Sequence, residues 1–210
     1  MSNFDGSFFD QNYFENGRKS GKSWFENYHW MPKRSFREAL AFIDYMEIPD
    51  NARILDLGTA KGFLVRAFRE LEYNADGCDI SDYALSFAPS GCWNCSTKNS
   101  WISHGQYTHV VCKDVFEHLT EMKLYEIMDN LSLVTSKLMC VIPMGDEDKY
   151  RIPEYHYDIS HILAKNEDWW YNRFNKCGWK IIKDSNYVPG IKENWQYIHD
   201  GNHVFVLEKI

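Results

Sequence analysis

Residues 53–69 read Arg-Ile-Leu-Asp-Leu-Gly-Thr-Ala-Lys-Gly-Phe-Leu-Val-Arg-Ala-Phe-Arg, and this order predicts a buried strand, a turn of small residues and an amphipathic helix. The apolar run from Ile54 to Leu57 is typical of a parallel strand that is covered on both faces. The small residues of the turn keep it thin, so that backbone N–H groups can approach a ligand closely. These residues are Gly58, Ala60 and Gly62.

A second apolar strand follows, and it also ends on a carboxylate. It reads Ala75-Asp-Gly-Cys-Asp79, which places Asp79 about 20 residues after Gly58, the spacing at which dinucleotide-binding folds hold an acid for the ribose. Asp56 ends the first strand in the same way. Two parallel strands that both end on acids indicate a ligand site at their carboxyl ends.

These two strands resemble the class I S-adenosylmethionine-dependent methyltransferases, whose first loop follows the pattern Asp/Glu-x-Gly-x-Gly-x-Gly and whose second strand ends on an acid. The loop here has Ala60 where the family usually has its middle glycine, and the added methyl group is expected to displace the cofactor slightly. Residues 110–119 are similar to the family's fourth strand and its Glu-His-Leu signature. The resemblance extends over about residues 50–145.

The resemblance implies S-adenosylmethionine as the cofactor. Asp79 would accept hydrogen bonds from both ribose hydroxyls, because a carboxylate offers two acceptor atoms to a diol. Ile80 would flank the adenine, while Gly58 and the Lys113 carbonyl would face the methionine ammonium group. Lys61, within the loop, is expected to point to solvent. The complete predicted cofactor set is Tyr28, Asp56, Gly58, Ala60, Gly62, Asp79, Ile80, Lys113 and Asp114.

The succession of strands and helices predicts an α/β fold: a doubly wound, seven-stranded, mostly parallel sheet with a terminal antiparallel strand and helices on both faces. The helix after the fourth strand is predicted to bury a stripe that runs from Met122 to Leu131 in steps of three. Residues 92–106 are ambiguous and are expected to include a short edge strand. Predicted strands lie at 52–57, 75–80, 109–115, 138–143, 179–182 and 203–208, and the main helices at 62–71, 120–134 and 167–177.

We expect residues 1–210 to form a single methyltransferase-like domain with two variable segments. Residues 1–31 are predicted to form an irregular N-terminal arm. This arm either folds over the cofactor as a lid through Tyr28 and Trp30 or packs against the outside of the sheet. Residues 144–165 predict an insert that forms the substrate cleft. Aromatic residues make up 16% of the chain and concentrate in such segments, which fits either an aromatic-lined cleft or irregular core packing.

Two histidines are predicted to lie near the methyl acceptor. His118 follows the fourth strand, and His161 lies in the segment Asp158-x-x-His161. This segment resembles the region after strand five of many small-molecule methyltransferases, where a histidine approaches the acceptor. We therefore predict His161, His118 and Asp158 as catalytic residues, with a histidine as general base for a hydroxyl acceptor. The alternative for His118 is an architectural role, which is common for the Glu-His-Leu element.

A metal site is the competing interpretation of the insert. His156, Asp158 and His161 carry imidazole and carboxylate groups that suit zinc or iron, and Asp114 and Asp146 are further available acids. Their spacing matches no strong metal-binding signature. The prediction is therefore that no metal is bound.

The predicted reaction is methyl transfer to an oxygen of a small-molecule or sugar/glycan acceptor. The alternatives are methyl transfer to nitrogen of a small molecule or peptide, and a non-catalytic subunit that binds S-adenosylmethionine. The glycine spacing does not give the Gly-x-Gly-x-x-Gly of nicotinamide-binding proteins. The segment Asp114-Val-Phe-Glu117 lacks the Pro-Pro and Pro-Cys motifs of DNA methyltransferases.

The composition limits the classes of binding partner and the cellular compartment that we expect for this protein. The net charge of −7 argues against general nucleic-acid binding, which depends on phosphate neutralisation. The six cysteines include one Cys92-x-x-Cys95 without a second pair for zinc, and they indicate reduced thiols. A signal-peptide pattern and an apolar run of ~20 residues are absent from the sequence. We therefore expect a cytoplasmic protein with no membrane contact, whose aromatic segments permit a homodimer.

Overall fold

A seven-stranded sheet forms the centre of the computed structural model, which describes residues 4–195 and 197–210. The strands are β1 (Arg53–Leu57), β2 (Asn74–Asp79), β3 (Cys92–Asn94), β4 (His109–Lys113), β5 (Lys137–Pro143), β6 (Gly145–Asp146), β7 (Lys149–Tyr150), β8 (Trp179–Ser185) and β9 (Asn202–Lys209). Seven of them lie in the order β3-β2-β1-β4-β5-β9-β8, while β6 and β7 pair as a hairpin. β1 to β5 pair in parallel, and β9 runs antiparallel to both of its neighbours. The predicted sheet is confirmed.

The helices cover both faces of this sheet, as the sequence predicts. They are α1 (Gln11–Glu15), α2 (Gly17–Ser20), α3 (Pro32–Met46), α4 (Phe63–Glu70), α5 (Asp82–Leu85), α6 (Lys98–Ser103), α7 (Glu121–Val134) and α8 (Glu167–Lys176). Short 3₁₀ turns lie at Phe116–His118, Pro153–Tyr157 and Glu193–Trp195. Within the described ranges, no helix combines the length and the apolar character that a membrane crossing requires.

Successive side chains of each central strand enter different cores, because side chains alternate along a strand. Leu55 and Leu57 of β1 pack in a core that is completed by α6, α7 and α8, with Trp170 as one of its largest members. Ile54 packs in a second core with α3 and α4, which includes Phe42. Burial on both faces explains why the strands are nearly continuous apolar runs.

The predicted stripe on α7 is wrong at Met122, which is 82% exposed, whereas its members Met128 and Leu131 are buried. The buried face instead includes Leu124, Met128 and Leu131, which follow one another at four and three residues. A helix turns once every 3.6 residues, so alternating steps of four and three stay on one face, whereas repeated steps of three drift away from it.

Local chemistry explains the segments that the sequence left irregular or ambiguous. The N-terminal arm is largely irregular, as predicted, but Asp10 caps the short helix α1 by accepting a hydrogen bond from the Tyr13 N–H at 3.0 Å. Residues 92–106 contain the predicted edge strand β3 and also α6, which Thr97 caps and which buries Trp101. β4 ends two residues earlier than predicted, because Asp114 takes a left-handed conformation with φ +58°.

The two faces of α7 provide a matched test of the packing. Replacing Leu124 by alanine removes a side chain with no solvent exposure, so the free energy of unfolding is expected to fall by about 2–5 kcal/mol. Met122→Ala on the same helix is expected to change it by less than about 0.5 kcal/mol. Urea denaturation of both variants measures the difference. Equal losses would contradict this assignment of the buried face.

Candidate active site

A cavity of about 610 Å³ opens at the carboxyl ends of β1 and β4. β1 lies between β2 and β4, so the strands that follow β1 are added first on one side of it and then on the other. Ligand crevices form at such reversals of strand order. The N-terminal arm and the 144–165 insert supply much of the aromatic wall. The aromatic lining residues are Phe4, Phe9, Tyr13, Phe14, Trp24, Phe25, Tyr28, Phe63, Tyr155 and Trp195.

The structure brings the predicted site residues together with one exception. All of the predicted cofactor residues except Gly62 line this cavity, and so do His118, Asp158 and His161. Gly62 lies at the start of α4, where it faces Ala88 and Pro89.

The carboxylate of Asp79 connects the end of β2 to the loop after β1. One of its oxygens accepts a hydrogen bond from the Ala60 N–H at 2.8 Å, and the other accepts one from the Ser81 N–H at 2.8 Å. Ala60 adopts φ +50°, the left-handed conformation that glycine takes at lower cost. Burial raises the pKa of Asp79 above its ordinary value.

The loop approaches the segment after β4 so closely that one position excludes any side chain. Gly58 has φ +77°, and a Cβ atom built there would lie 2.2 Å from Cγ2 of Val115. The Gly58 N–H donates a hydrogen bond to the Cys78 carbonyl at 2.8 Å, which fixes the loop against β2. At this point the cavity wall therefore consists of the Gly58 backbone packed against the Val115 side chain.

The prediction that Lys61 points to solvent is wrong. Its side chain is buried, where its ammonium group forms an ion pair with Glu15 and donates a hydrogen bond to the Tyr28 carbonyl at 2.8 Å. Both partners belong to the arm, so the loop holds the arm over the cavity. The ring of Tyr28 stacks on Phe63 with centroids 5.2 Å apart, and burial raises the pKa of Tyr28 to about 12.

A buried charge network follows β4. The Lys113 ammonium group lies 3.0 Å from Asp114 and 3.7 Å from Glu38, and Lys192 forms an ion pair with Asp114 and donates to the Tyr155 hydroxyl at 2.8 Å. Burial alone would raise the pKa of Asp114, but the two lysines outweigh it and hold that pKa well below its ordinary value.

Sequence reasoning missed two members of this network. Glu38 could have been found from the sequence, because it interrupts the buried face of α3 between Ser35 and Phe42. A charged residue on an apolar helix face needs a partner. Lys192 carries no such signal. It precedes a short 3₁₀ turn and reaches Asp114 only through the fold.

A hydrogen-bonded cluster contains the predicted catalytic residues. The Asp158 carboxylate accepts hydrogen bonds from the Tyr13 hydroxyl at 2.6 Å and from the Ser160 hydroxyl at 2.5 Å. Because the Ser160 proton is used in this way, Nδ1 of His118 must donate to the Ser160 oxygen at 2.8 Å. Nδ1 of His161 donates to the Tyr155 carbonyl at 2.9 Å. In both rings, only Nε2 retains a free lone pair.

The two histidine rings meet with centroids 4.6 Å apart. The contact arises because the Glu117 carbonyl accepts hydrogen bonds from the N–H groups of Ile162 and Leu163, at 2.9 and 3.1 Å. Burial and then the neighbouring His118 lower the pKa of His161 to about 3, which keeps this ring neutral.

The metal-ligand set considered from the sequence is not assembled. Nε2 of His156 accepts a hydrogen bond from the Tyr150 N–H, and Asp146 pairs with Arg151. Within the described ranges, the group that brings metal-ligating atoms together consists of Glu117, His118 and His161.

Asp56, at the end of β1, is only 4% exposed. Burial raises its pKa from the ordinary value of 3.8 to about 7. Near neutral pH this carboxyl group therefore changes between its neutral and charged forms within the cavity wall.

Solved structures share this arrangement of strands and helices. An S-adenosylmethionine-dependent methyltransferase from Archaeoglobus fulgidus superposes with a TM-score of 0.63 at 14% identity, over 85% of this chain and 95% of that chain. The chain has the fold of the S-adenosylmethionine-dependent methyltransferases. No protein family model and no curated protein sequence matches it.

Two further methyltransferase structures match an equal share of the chain. The magnesium protoporphyrin IX methyltransferase of Synechocystis, with bound S-adenosylhomocysteine, gives a TM-score of 0.58 at 12% identity, over 85% of this chain and 84% of that chain. The mitomycin 7-O-methyltransferase gives 0.60 at 12% identity, over 85% of this chain and 54% of that chain. At these identities the similarity concerns the fold.

Two glycines with similar backbone conformations make it possible to distinguish the cost of backbone strain from the cost of a steric clash in the loop. Gly58 and Gly21 have φ +77° and +71°, but a Cβ atom at Gly21 would meet no atom of the described residues within 4 Å. Gly21→Ala is expected to cost about 1–2 kcal/mol of unfolding free energy for the left-handed conformation. Gly58→Ala is expected to cost a further 1–3 kcal/mol or so for the clash with Val115. Urea denaturation compares them, and equal effects would refute the close approach.

Asp56 is expected to give the stability of the protein a distinctive pH dependence. Because its folded-state pKa of about 7 exceeds 3.8, its contribution is fully present below pH 4 and is lost as the pH rises to 7. The free energy of unfolding of the wild type, relative to that of Asp56→Asn, should therefore fall over this range by at most about 4 kcal/mol. Asp146→Asn is the exposed control, since Arg151 lowers the pKa of Asp146 and no such fall is expected. A flat Asp56 difference would contradict the raised pKa.

Proposed function

We propose that this protein is an S-adenosylmethionine-dependent methyltransferase that acts on an oxygen of a small-molecule or sugar acceptor. The observation that carries the proposal is the loop from Asp56 to Ala60, which together with the neighbouring Asp79 lines a cavity at the strand reversal. The Synechocystis neighbour with this fold was solved with S-adenosylhomocysteine bound.

The charges of the cavity suit a cationic ligand. Seven carboxylate residues line it against four basic residues, and S-adenosylmethionine carries a sulfonium and an ammonium group. A volume of about 610 Å³ also falls within the range of roughly 300–1,000 Å³ that is usual for such ligands. The carboxylates are Glu26, Glu38, Asp56, Asp79, Asp114, Glu154 and Asp158, and the basic residues are Arg18, Arg34, Lys113 and Lys192.

Individual residues of the proposed cofactor site have separable tasks. Asp79 would bind the ribose through the lone pairs that its backbone contacts leave free, and Ile80 would flank the adenine. The Gly58 backbone and the Lys113 carbonyl would face the ammonium group. The arm, which Lys61 holds through Glu15, would act as the lid that excludes water.

When bound, the cofactor supplies an electrophilic methyl group: the bond from carbon to the acceptor oxygen forms as the bond to sulfur breaks, and sulfur keeps the electron pair. The protein must hold the acceptor in line and receive its proton. We assign the proton to Nε2 of His161, with His118 beside it and Asp158 fixing the cluster through Ser160.

The acceptor is proposed to lie between the arm and the 144–165 insert. Trp24 and Tyr157 pack together there with centroids 4.9 Å apart and remain 39% and 59% exposed. Partly exposed aromatic rings suit contact with the apolar faces of a sugar ring or another small ring. The neighbour named as a 7-O-methyltransferase supports oxygen as the acceptor atom. We place the reaction in the cytoplasm, which fits the six free cysteines.

Calorimetry tests the cofactor directly. S-adenosylmethionine and S-adenosylhomocysteine are expected to bind the purified protein, whereas NAD is not. Asp79→Asn is expected to weaken binding about tenfold or more, because a charged hydrogen bond contributes about 1.5–3 kcal/mol. Asp82→Asn, three residues further along the chain and outside the cavity lining, serves as the control. Unchanged affinity in Asp79→Asn would refute the site, and preferential binding of NAD would refute the cofactor.

Turnover then separates the remaining alternatives. With a hydroxylated acceptor, His161→Gln should lower kcat by about 10²–10⁴-fold, the usual range for a general base, with little effect on cofactor affinity. Methylation of amine acceptors that does not depend on His161 would instead favour nitrogen as the acceptor atom. Cofactor binding without turnover across the acceptor panel would favour a non-catalytic subunit.

A further inference from the structure

Glu117 makes no use of its side chain in the fold as described. It is completely buried, and neither carboxylate oxygen has a hydrogen-bond partner among residues 4–195 and 197–210. A buried carboxyl group without partners is costly, and native proteins rarely keep one without a ligand, an ion or a water for it. Its backbone carbonyl is already satisfied by Ile162 and Leu163, so a ligand would be needed for the side chain and not for this carbonyl.

Two imidazole rings stand beside this carboxylate. One ligating atom from each of Glu117, His118 and His161 lies within 4.8 Å of the other two. Nδ1 of His161 donates to the Tyr155 carbonyl and Nδ1 of His118 to the Ser160 hydroxyl. Metal-binding histidines characteristically donate their second ring nitrogen to a carbonyl or a carboxylate in this way, because the contact fixes the tautomer and the ring orientation.

We propose that Glu117, His118 and His161 form a binding site for a divalent transition-metal ion. Two imidazole nitrogens and one carboxylate suit Zn²⁺ or Fe²⁺ better than Mg²⁺ or Ca²⁺, which prefer oxygen ligands. The side chains of both histidines line the cavity, so the ion would keep an open position on the acceptor side.

The metal site goes beyond the proposed function, because methyl transfer to oxygen needs only a base. An ion at this position would bind the acceptor oxygen and lower the pKa of its hydroxyl group. It would occupy the Nε2 lone pair of His161, so with the ion bound the acceptor hydroxyl would give its proton to solvent water and not to His161. Asp158 and Ser160 would then orient His118 as a ligand.

Metal binding to the full-length protein tests the site without any assay of activity. After treatment with a chelator, one Zn²⁺ ion per chain is expected to bind in calorimetry, while Mg²⁺ is not. Glu117→Gln should weaken Zn²⁺ binding at least tenfold, and so should His161→Asn. Glu154→Gln is the matched control, since Glu154 lines the same cavity but lies outside the cluster. Glutamine also preserves the shape of residue 117, so the metal-free variant is expected to keep its thermal unfolding temperature.

The partly buried thiols of Cys92 and Cys95 are the competing zinc ligands. Cys92→Ser combined with Cys95→Ser should leave the tight site intact, and Co²⁺ at that site should show no thiolate-to-metal charge-transfer band. Absence of Zn²⁺ binding, or binding that Glu117→Gln leaves unchanged, would overturn the proposal. Because cofactor binding is measured separately, zinc binding without S-adenosylmethionine binding would refute the proposed function and keep the metal site. Binding of S-adenosylmethionine without binding of zinc would refute the metal site and keep the proposed function.

Discussion

The backbone carbonyl of Glu117 is the contact on which the candidate site depends. It accepts two hydrogen bonds from Ile162 and Leu163, residues that follow the insert and lie more than 40 positions away in the sequence. Each bond alone contributes about 1 kcal/mol. Together they fix the register between the end of β4 and the segment that carries His161. Without that register, His118 and His161 would have no reason to meet.

Electrostatics give the two halves of the cavity different characters. On the cofactor side, Asp56 and Asp79 lie at strand ends with raised pKa values, so a cationic ligand would stabilise their charged forms. At the β4 exit, Asp114 is already paired with Lys113 and Lys192. That network gives the Asp114 carboxylate its own counter-charges. The cavity therefore combines a region that attracts cations with a balanced one.

The fold could be predicted because its signals are local. The central strands are apolar runs, β1 and β2 carry Asp56 and Asp79 at or next to their carboxyl ends, and Ser81, Thr120 and Asn166 each cap the helix that follows. The site was less predictable, because its polar contacts join distant parts of the chain. From the sequence, Lys61 is expected to be an exposed loop residue. The fold brings it into an ion pair with Glu15 of the arm. The amino-acid sequence shows which residue types are present, but it does not show which contact in the fold determines the role of each residue.

Glu117 separates the two possible roles of the histidine pair. As a base or as a metal ligand, His161 needs the same tautomer, and the Tyr155 carbonyl fixes it in either case. Glu117 is different, because it is fully buried and does not line the cavity. It therefore cannot contact an acceptor in that cavity directly. A base mechanism gives the Glu117 carboxylate no contact, whereas an ion between the two imidazoles would bind this carboxylate and transmit its effect to the acceptor.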